Sequence, residues 1–282
     1  MSKTALVIQG GGFRTAFTAG VLDAFLITSR LQFDHYFGVS GGSIALSYYL
    51  SRQYGYCFSA MQLLAKDPDF VQMKRAMSEQ GYMDIDYLEK IAQEIMPLDI
   101  GRAQEELGKS DLSLVVTDRS SGKAVYLSPV PNTWISEVIA SCTLPFVTKG
   151  VYTIGDKKYF DGGWSDPIPA KKAYREGARE ILVICTSPLN MKLKQSWPDY
   201  LGSIYFRSSP DLSSCFALAH EEYNKALDFI ARPPMDAQID VIAPKEILES
   251  GMYSYSGDSL TQDYRHGLDM GLRYIQKKKT SS

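Results

Sequence analysis

Histidine is scarce in this sequence, and neither sign of charge is in large excess. The chain of 282 residues has three histidines, and its formal net charge is −2. A balance so close to neutral argues against the strongly basic surface that nucleic-acid binding requires, so we expect no nucleic-acid partner. The shortage of histidine also narrows the choice of a catalytic base, because histidine is the usual one.

Cysteine is also sparse, and long apolar runs are missing. The four cysteines are widely spaced and form no Cys-x-x-Cys pair, which predicts reduced thiols and not a disulfide framework or a zinc site. No window approaches 18 consecutive apolar residues, and the N-terminus runs directly into a strand pattern without a signal peptide. We therefore expect a cytoplasmic protein without a transmembrane helix.

The apolar runs that are present predict an α/β fold. Residues 4–9 read as a strand that is buried on both faces, and a glycine loop and an apolar helix follow directly. No repeat or low-complexity linker divides the chain, so we expect a single domain over residues 1–282. Residues 55–110 predict a helical insertion, and residues 187–282 predict helices and one strand. The methionines and aromatic residues of this insertion are predicted to form part of a core: Met61, Met73, Met77, Tyr82 and Met83. The alternative is that they belong to a flexible lid that binds an acyl chain.

A glycine turn places a serine between a strand and a helix. Residues 38–42 read Gly-Val-Ser-Gly-Gly, after an apolar stretch and before an apolar helical pattern. This context can expose a serine as a nucleophile, because Gly38 and Gly42 leave the sharp turn almost free of side chains. Gly41 adds room for a substrate, and Ser40 would lie at a helix N-terminus, which favours developing negative charge. The alternative is a turn that only connects the two elements.

Three consecutive glycines, Gly10, Gly11 and Gly12, follow the first predicted strand. Glycine loses more conformational freedom on folding than other residues do, so such a run needs a reason. A dinucleotide cradle would need glycine where Thr15 stands, and the Lys-Ser/Thr that completes a P-loop is missing. The residues favour an oxyanion hole, in which backbone N–H groups reach a reacting oxygen unobstructed. A phosphate cradle and a plain structural turn are the alternatives.

A serine nucleophile needs a base, and the sequence offers two kinds. His35 precedes the glycine turn, while His220 and His266 lie in helical patterns with charged neighbours, so none has a setting suited to a base. A carboxylate that is partly removed from water can accept the proton instead. Asp161 follows a predicted strand, and two glycines then leave its surroundings open, so it is the better candidate. An ordinary Asp-Gly turn is the alternative.

Four short segments, each common by itself, form a specific sequence signature when their order along the chain is considered. They are Gly10-Gly11-Gly12-Phe13-Arg14, Gly38-Val39-Ser40-Gly41-Gly42, Ala140-Ser141-Cys142-Thr143-Leu144-Pro145 and Asp161-Gly162-Gly163. In this order they resemble the patatin-like phospholipase family, over about residues 4–186. The resemblance implies a three-layer α/β/α sandwich with a mainly parallel central sheet. It also implies lipid acyl hydrolase activity through a Ser–Asp dyad, which falls on Ser40 and Asp161.

The resemblance also implies roles around this dyad. The oxyanion loop falls on residues 10–12, and Arg14 takes the family's basic position near the substrate, where Gly41 also lies. Two positions depart from the family: Gly41 stands where alanine is frequent, and Thr15 stands where glycine is frequent. The remaining motif glycines are Gly38, Gly42, Gly162 and Gly163.

We therefore expect a serine acyl hydrolase that cleaves phospholipid or lysophospholipid esters without a metal or another cofactor. One alternative is an α/β-hydrolase-type triad esterase with His220 or His266 as its base, and another is a non-enzymatic lipid-binding module. An acyltransferase with the same acyl-enzyme stays open, and so does the oligomeric state. A lipid substrate also predicts transient contact with a membrane surface, where the basic run 277–279 would attract anionic lipid.

Overall fold

The computed structural model describes residues 2–28, 31–68, 70–72, 81–145, 147–148 and 150–281. Within these ranges, eight strands form one sheet: β1 Lys3–Ile8, β2 His35–Val39, β3 Asp111–Asp118, β4 Ala124–Leu127, β5 Tyr152–Ile154, β6 Lys157–Asp161, β7 Ala178–Ile184 and β8 Gln238–Ile242. The helices of the same ranges are α1 Thr15–Thr28, α2 Gly41–Leu50, α3 Tyr56–Lys66, α4 Ile85–Lys90, α5 Ile100–Leu107, α6 Trp134–Ser141, α7 Ala170–Arg175, α8 Trp197–Tyr205, α9 Pro210–Ala231 and α10 Gly257–Ser281.

The sheet is mixed, with a parallel centre. Its strand order is β5-β6-β3-β2-β1-β7-β8, and β4 also pairs with β3. The strands β3, β2, β1, β7 and β8 run parallel, whereas β4, β5 and β6 pair in antiparallel fashion. The continuous apolar run of β1 belongs at the centre of such a sheet, because helices cover both of its faces. The predicted α/β fold with a mainly parallel sheet is confirmed.

Alternating side chains of β1 separate two cores. Leu6 and Ile8 pack in a cluster with buried residues of α1, α2, α3 and α10. Ala5 and Val7 point the other way, into a cluster with buried residues of α7 and α9. Successive residues of a strand face opposite sides of the sheet, so each side supports its own helix layer. The predicted three-layer α/β/α arrangement is confirmed.

The region from 55 to 110 forms the helices α3, α4 and α5 and a π-helical turn, Ile91–Ile95, that continues α4. Among its described residues, strand pairing is limited to one bridge between Val71 and Met83. Met73 and Met77, which were predicted as core or lid, lie outside the described residues. None of the described helices is long and apolar enough to cross a membrane.

Helices α1 and α10 lie in direct backbone contact. A Cβ atom at Gly20 of α1 would lie 2.0 Å from the Tyr264 carbonyl oxygen, and one at Gly267 of α10 would lie 1.9 Å from the Phe17 carbonyl oxygen. No larger residue fits at either position, so each glycine allows the close approach. The first helix of the chain is thus held by the last described one.

Candidate active site

Ser40 lies in the turn between β2 and α2, and its backbone has an unusual conformation. Its φ of 54° and ψ of −132° fall in a region that residues other than glycine rarely adopt. A Cβ atom at Gly38 would lie 2.8 Å from the Ser43 Cα. One at Gly42 would lie 2.8 Å from the Ile8 carbonyl oxygen. The turn therefore requires both glycines, and it holds the predicted nucleophile between them in a strained conformation.

Ser141 ties this turn to the sheet. Its hydroxyl accepts a hydrogen bond from the Ser40 N–H at 2.9 Å and donates one to the Val115 carbonyl oxygen of β3 at 2.7 Å. Ser141 is fully buried, so water does not compete for either bond. In the sequence, Ser141 stood out only as part of the segment from Ala140 to Pro145. Its role depends on contacts with β2 and β3 that no local pattern reveals.

The register of the sheet brings Asp161 beside Ser40. Val39, the last residue of β2, pairs with Val115 of β3, and Asp161 of β6 pairs with the next residue, Val116. Neighbouring residues of a strand lie about 3.4 Å apart, so the carboxyl ends of β2 and β6 meet at one point of β3. The Ser40 side chain lies close enough to the Asp161 carboxylate there to lower the pKa of that carboxylate.

The Asp161 carboxylate has little access to solvent, and only 2% of the residue's surface is exposed. Burial raises its pKa from 3.8 to about 6, although the nearby Ser40 hydroxyl and a hydrogen bond from the Gly163 N–H act in the opposite direction. The Gly163 N–H lies 2.7 Å from Oδ1. Gly162 allows the backbone to pass close to β3, because a Cβ atom at this position would lie 2.3 Å from the Val115 carbonyl oxygen. Asp161 is thus ionised at neutral pH but unusually basic for a carboxylate.

The glycine loop after β1 approaches the same serine. A Cβ atom at Gly10 would lie 2.6 Å from the Ser40 Cβ, so a larger residue would push the loop away. Gly12 has a φ of 57°, and its backbone lies against that of Met252. Between described residues, no hydrogen bond is donated by the N–H of Gly11 or Gly12. Unpaired N–H groups beside a serine are what an oxyanion hole requires.

Thr186 fixes the orientation of this loop. Its hydroxyl donates a hydrogen bond to the Gly10 carbonyl oxygen at 2.7 Å, and its N–H donates one to Gln9 Oε1 at 3.0 Å. The carbonyl and the N–H of a trans peptide point in opposite directions, so the Gly11 N–H points away from Thr186. Thr186 follows β7, more than 170 residues after the loop, and no sequence pattern pointed to it.

Arg14 supports the loop from within. Its Nε donates a hydrogen bond to the Gly11 carbonyl oxygen at 3.3 Å, and its Nη1 donates one to Ser187 Oγ at 2.8 Å. Burial lowers the pKa of the guanidinium, which still carries its charge, as arginine does in proteins. Arg14 is not among the described residues that line the cavity beside Ser40. Its contact with a substrate therefore stays a prediction.

An apolar cavity of about 80 Å³ adjoins Ser40. Its wall combines the glycine loop and α2 with residues of the helical region, and its apolar lining includes Phe13, Ile44, Met61, Leu64, Phe70 and Leu88. Met83, which was also predicted as core or lid, lines the same cavity. Pockets of this composition suit hydrocarbon ligands, because few polar groups lose water when the ligand enters.

The two departures from the family pattern compensate for each other. A Cβ atom at Gly41 would lie 2.1 Å from the Thr15 Oγ1, so the threonine hydroxyl fills the space that an alanine methyl would take. Thr15 is buried, and its hydroxyl has no hydrogen-bond partner among the described residues. Both residues line the cavity, so this packing shapes its wall next to Ser40.

The histidines lie in other settings. His35 begins β2, at the opposite end of that strand from Ser40. His220 lies in α9, and His266 lies in α10 with its ring edge-on against an aromatic ring of α1. Among the described hydrogen bonds, none joins these histidines to Ser40 or Asp161. The triad alternative therefore has no contact in this site to support it.

Comparisons with known proteins identify one family and two similar proteins. Residues 6–174 match the family described as patatin-like phospholipase, and residues 209–280 match a domain of unknown function, DUF6363. An uncharacterised protein of Escherichia coli (strain K12), YjjU, is 30% identical over 280 residues, which cover 97% of this chain and 77% of that protein. The crystal structure of VipD from Legionella pneumophila aligns with a TM-score of 0.46 at 13% identity, over 98% of this chain and 67% of that one.

Proposed function

This chain belongs to the patatin-like phospholipase family, and we propose that it is a serine hydrolase of lipid carboxylic esters that acts through Ser40 and Asp161. Ser40 attacks the ester carbonyl while Asp161 accepts its proton, and the N–H groups of Gly11 and Gly12 stabilise the oxyanion. The protonated Asp161 then returns the proton to the leaving alcohol. Water, activated by the same carboxylate, hydrolyses the acyl-enzyme.

One observation carries this proposal: the strained Ser40 lies beside a buried carboxylate whose pKa is raised to about 6. Efficient general bases have pKa values near the working pH, because they must be ionised and still bind the proton well. A structural Asp-Gly turn at the surface would have no reason for this burial. The apolar cavity beside Ser40 supports an acyl chain as the bound part of the substrate. The class that fits is a phospholipid or lysophospholipid.

Labelling with a fluorophosphonate probe tests the nucleophile. The wild-type protein is expected to form one adduct, located on Ser40 by mass spectrometry, and to hydrolyse acyl esters. Ser40→Ala should lose both properties and keep its fold, while Ser208→Ala, at an exposed serine, should keep both. A folded Ser40→Ala protein that still reacts and turns over would disprove the proposal.

A panel of lipid esters tests the reaction type. Release of free fatty acid from phospholipid or lysophospholipid is the outcome that the proposal expects. Transfer of the acyl group to an added alcohol at the expense of hydrolysis would make the protein an acyltransferase with the same acyl-enzyme. Lipid binding without labelling or turnover would instead support the non-enzymatic module.

A further inference from the structure

Large apolar side chains are exposed on the segment that joins β7 to α9. Trp197 has 75% of its surface exposed, Tyr205 68% and Leu201 56%. We name the whole group the α8 surface: Leu189, Met191, Leu193, Trp197, Tyr200, Leu201, Ile204 and Tyr205. Single exposed apolar residues are ordinary, but a group of this size on one short segment is typical of a binding surface.

The exposed side of α8 is not the side that holds the helix in the fold. Phe206, directly after α8, stacks on Phe216 of α9 with ring centres 5.2 Å apart, within a buried cluster. Trp197, Leu201 and Ile204 recur at helical spacing and are exposed to solvent. The helix therefore has an inner face that anchors it and an outer apolar face that stays accessible.

The α8 surface borders the candidate active site. The chain enters it directly from the loop after β7, where Thr186 contacts the glycine loop. Phe206, directly after α8, has its ring centre 5.7 Å from that of Phe160. Phe160 is the neighbour of Asp161 in β6. The end of α8 therefore lies close to the strand that carries the proposed base.

The charge of this segment differs from that of the whole chain. Residues 189–207 contain three basic residues, Lys192, Lys194 and Arg207, and one acidic residue, Asp199, whereas the chain carries a formal charge of −2. All three basic residues are exposed, but Lys192 forms an ion pair with Asp228 of α9 at 2.8 Å, so the charge toward a lipid rests on Lys194 and Arg207. Tryptophan and tyrosine among aliphatic residues, with lysine and arginine beside them, are typical of protein surfaces at the boundary between lipid headgroups and acyl chains.

We propose that the α8 surface docks the protein on an anionic phospholipid bilayer, with the cavity beside Ser40 turned toward the lipid. Trp197 and Tyr205 lie at headgroup level, and Leu201 and Ile204 reach the acyl boundary. Lys194 and Arg207 contact phosphates. This inference rests on the proposed function, because an enzyme without its own lipid supply must take an ester from the bilayer. Docking beside the cavity shortens the path of that ester to Ser40.

The basic tail is a poorer candidate for the same contact. Lys278 forms an ion pair with Asp240 at 2.9 Å. It lies in a groove with Thr4 and Gln238, which stand at the amino ends of β1 and β8. Ser40 follows the carboxyl end of β2, at the opposite edge of the sheet. A protein docked by its tail would turn Ser40 away from the bilayer.

Vesicle binding tests the docking surface independently of catalysis. In a Ser40→Ala background, co-sedimentation is measured with vesicles of phosphatidylcholine and phosphatidylglycerol. The triple variant Trp197→Gln/Leu201→Gln/Ile204→Gln is expected to bind about tenfold or more weakly, because binding scales with the apolar area inserted. The matched control, Lys277→Gln/Lys278→Gln/Lys279→Gln, should bind as the parent does. Equal binding of the triple variant and its parent, or a loss confined to the tail variant, would overturn the proposal.

Tryptophan fluorescence reports on depth. Of the three tryptophans, Trp134 is fully buried, whereas Trp197 is the most exposed. The signal of Trp197 is obtained as the difference between the parent and Trp197→Gln. It is expected to shift to shorter wavelength on vesicles and to be quenched by brominated phospholipid. A Trp197 signal that brominated phospholipid leaves unchanged would contradict insertion.

A water-soluble ester separates failure of this proposal from failure of the proposed function. With Ser40 intact, the triple variant should hydrolyse p-nitrophenyl butyrate at the parental rate and lose activity on vesicles. A parent that binds vesicles through α8 but cleaves no ester would refute the proposed function alone. A parent that cleaves esters and binds no vesicle would refute docking alone. Docking would also be refuted if the parent were a dimer and the triple variant were a monomer that binds vesicles as the parent does.

Discussion

The two edges of the central sheet hold the same residue types in opposite settings. Asp34, at the amino edge, is exposed, and its carboxylate accepts hydrogen bonds from the N–H and the hydroxyl of Thr4 at 2.7 and 3.0 Å. The hydrogen bond from the Thr4 N–H, more than any other cause, lowers the pKa of Asp34. Asp161, at the carboxyl edge, also accepts a backbone N–H, yet burial raises its pKa to about 6. Hydrogen bonds alone therefore do not set the basicity of a carboxylate here; access to water does.

Two threonines differ in the same way in how their hydroxyl groups are hydrogen-bonded. The Thr4 hydroxyl both donates to Asp34 and accepts the N–H of that residue at 3.0 Å. The Thr15 hydroxyl is buried beside Ser40 without a described partner. The amino edge satisfies its polar groups with one another in contact with solvent. The carboxyl edge leaves polar groups buried and poorly paired, which costs stability and creates reactivity.

The largest expected effect separates the two aspartates by activity. Asp161→Asn keeps the shape of the side chain but cannot take the Ser40 proton, so kcat should fall by about 10⁴-fold or more. Asp34→Asn, the matched change at the amino edge, should keep the parental kcat. His220→Gln and His266→Gln should also keep most activity, measured per folded protein. A folded His220→Gln or His266→Gln protein that is nearly inactive would restore the triad alternative.

The same pair of variants should move stability in opposite directions. The folded protein holds a proton on Asp161 between about pH 4 and pH 6, where the unfolded chain has released it, so wild-type stability falls as the pH rises through this window. Above pH 6, Asp161→Asn should therefore raise the free energy of unfolding by up to about 3 kcal/mol. Asp34→Asn should lower it, because the pKa of Asp34 is depressed from 3.8, so its ionised carboxylate stabilises the folded protein at every pH above that value.

Urea denaturation at pH 4 and pH 8 measures both effects. The advantage of Asp161→Asn over the wild type should be small at pH 4 and fully developed at pH 8. An Asp161→Asn protein that is less stable than the wild type at pH 8 would show that burial does not destabilise the ionised form of this carboxylate.

Packing beside Ser40 gives a smaller, local effect. Gly41→Ala places a methyl group against the Thr15 hydroxyl and should lower the free energy of unfolding by about 1–3 kcal/mol. Adding Thr15→Gly removes the clash, so the double variant should recover most of this loss, with a coupling energy of about 1 kcal/mol or more. Gly101→Ala, at a glycine with no such contact, is the control. Additive effects of the two substitutions would contradict the compensation.

The smallest effect is on the pH dependence of turnover. A base with a pKa of about 6 is protonated in acid, so kcat/KM should fall below pH 6, by about tenfold for each further pH unit. Asp34→Asn should give the same profile, because that carboxylate is ionised throughout this range. A profile that is flat down to pH 4.5 would exclude Asp161 as the base with this pKa.

Local patterns were enough to predict much of the fold. The apolar run of β1 and the glycine turn at Ser40 each specify their structure through nearby residues, and the order of the segments pointed to the family. The helix α8 was not predicted, because its apolar residues do not pack in one core. Ser196 and Asp199 nevertheless form a capping box at its N-terminus. That pair is a sequence signal that could have found the helix.

The parts of the site that could not be predicted depend on distant contacts. Thr186 and Met252 touch the glycine loop from segments far along the chain, and no spacing rule connects them with residues 10–12. Gly41 and Thr15 were both recognised as departures from the family. Only the structure shows that they touch, because helices α1 and α2 must first pack against each other.

The contact of the last helix with the first has a consequence for the order of synthesis. A ribosome produces the glycine loop early. The loop's contacts come much later in the chain: the Met252 carbonyl oxygen accepts the Phe13 N–H at 3.3 Å, and α10 packs against α1. The nascent chain can form the turn at Ser40 long before the loop beside it has its support. The proposed site is therefore incomplete until the segment that contains Met252 and α10 has been synthesised.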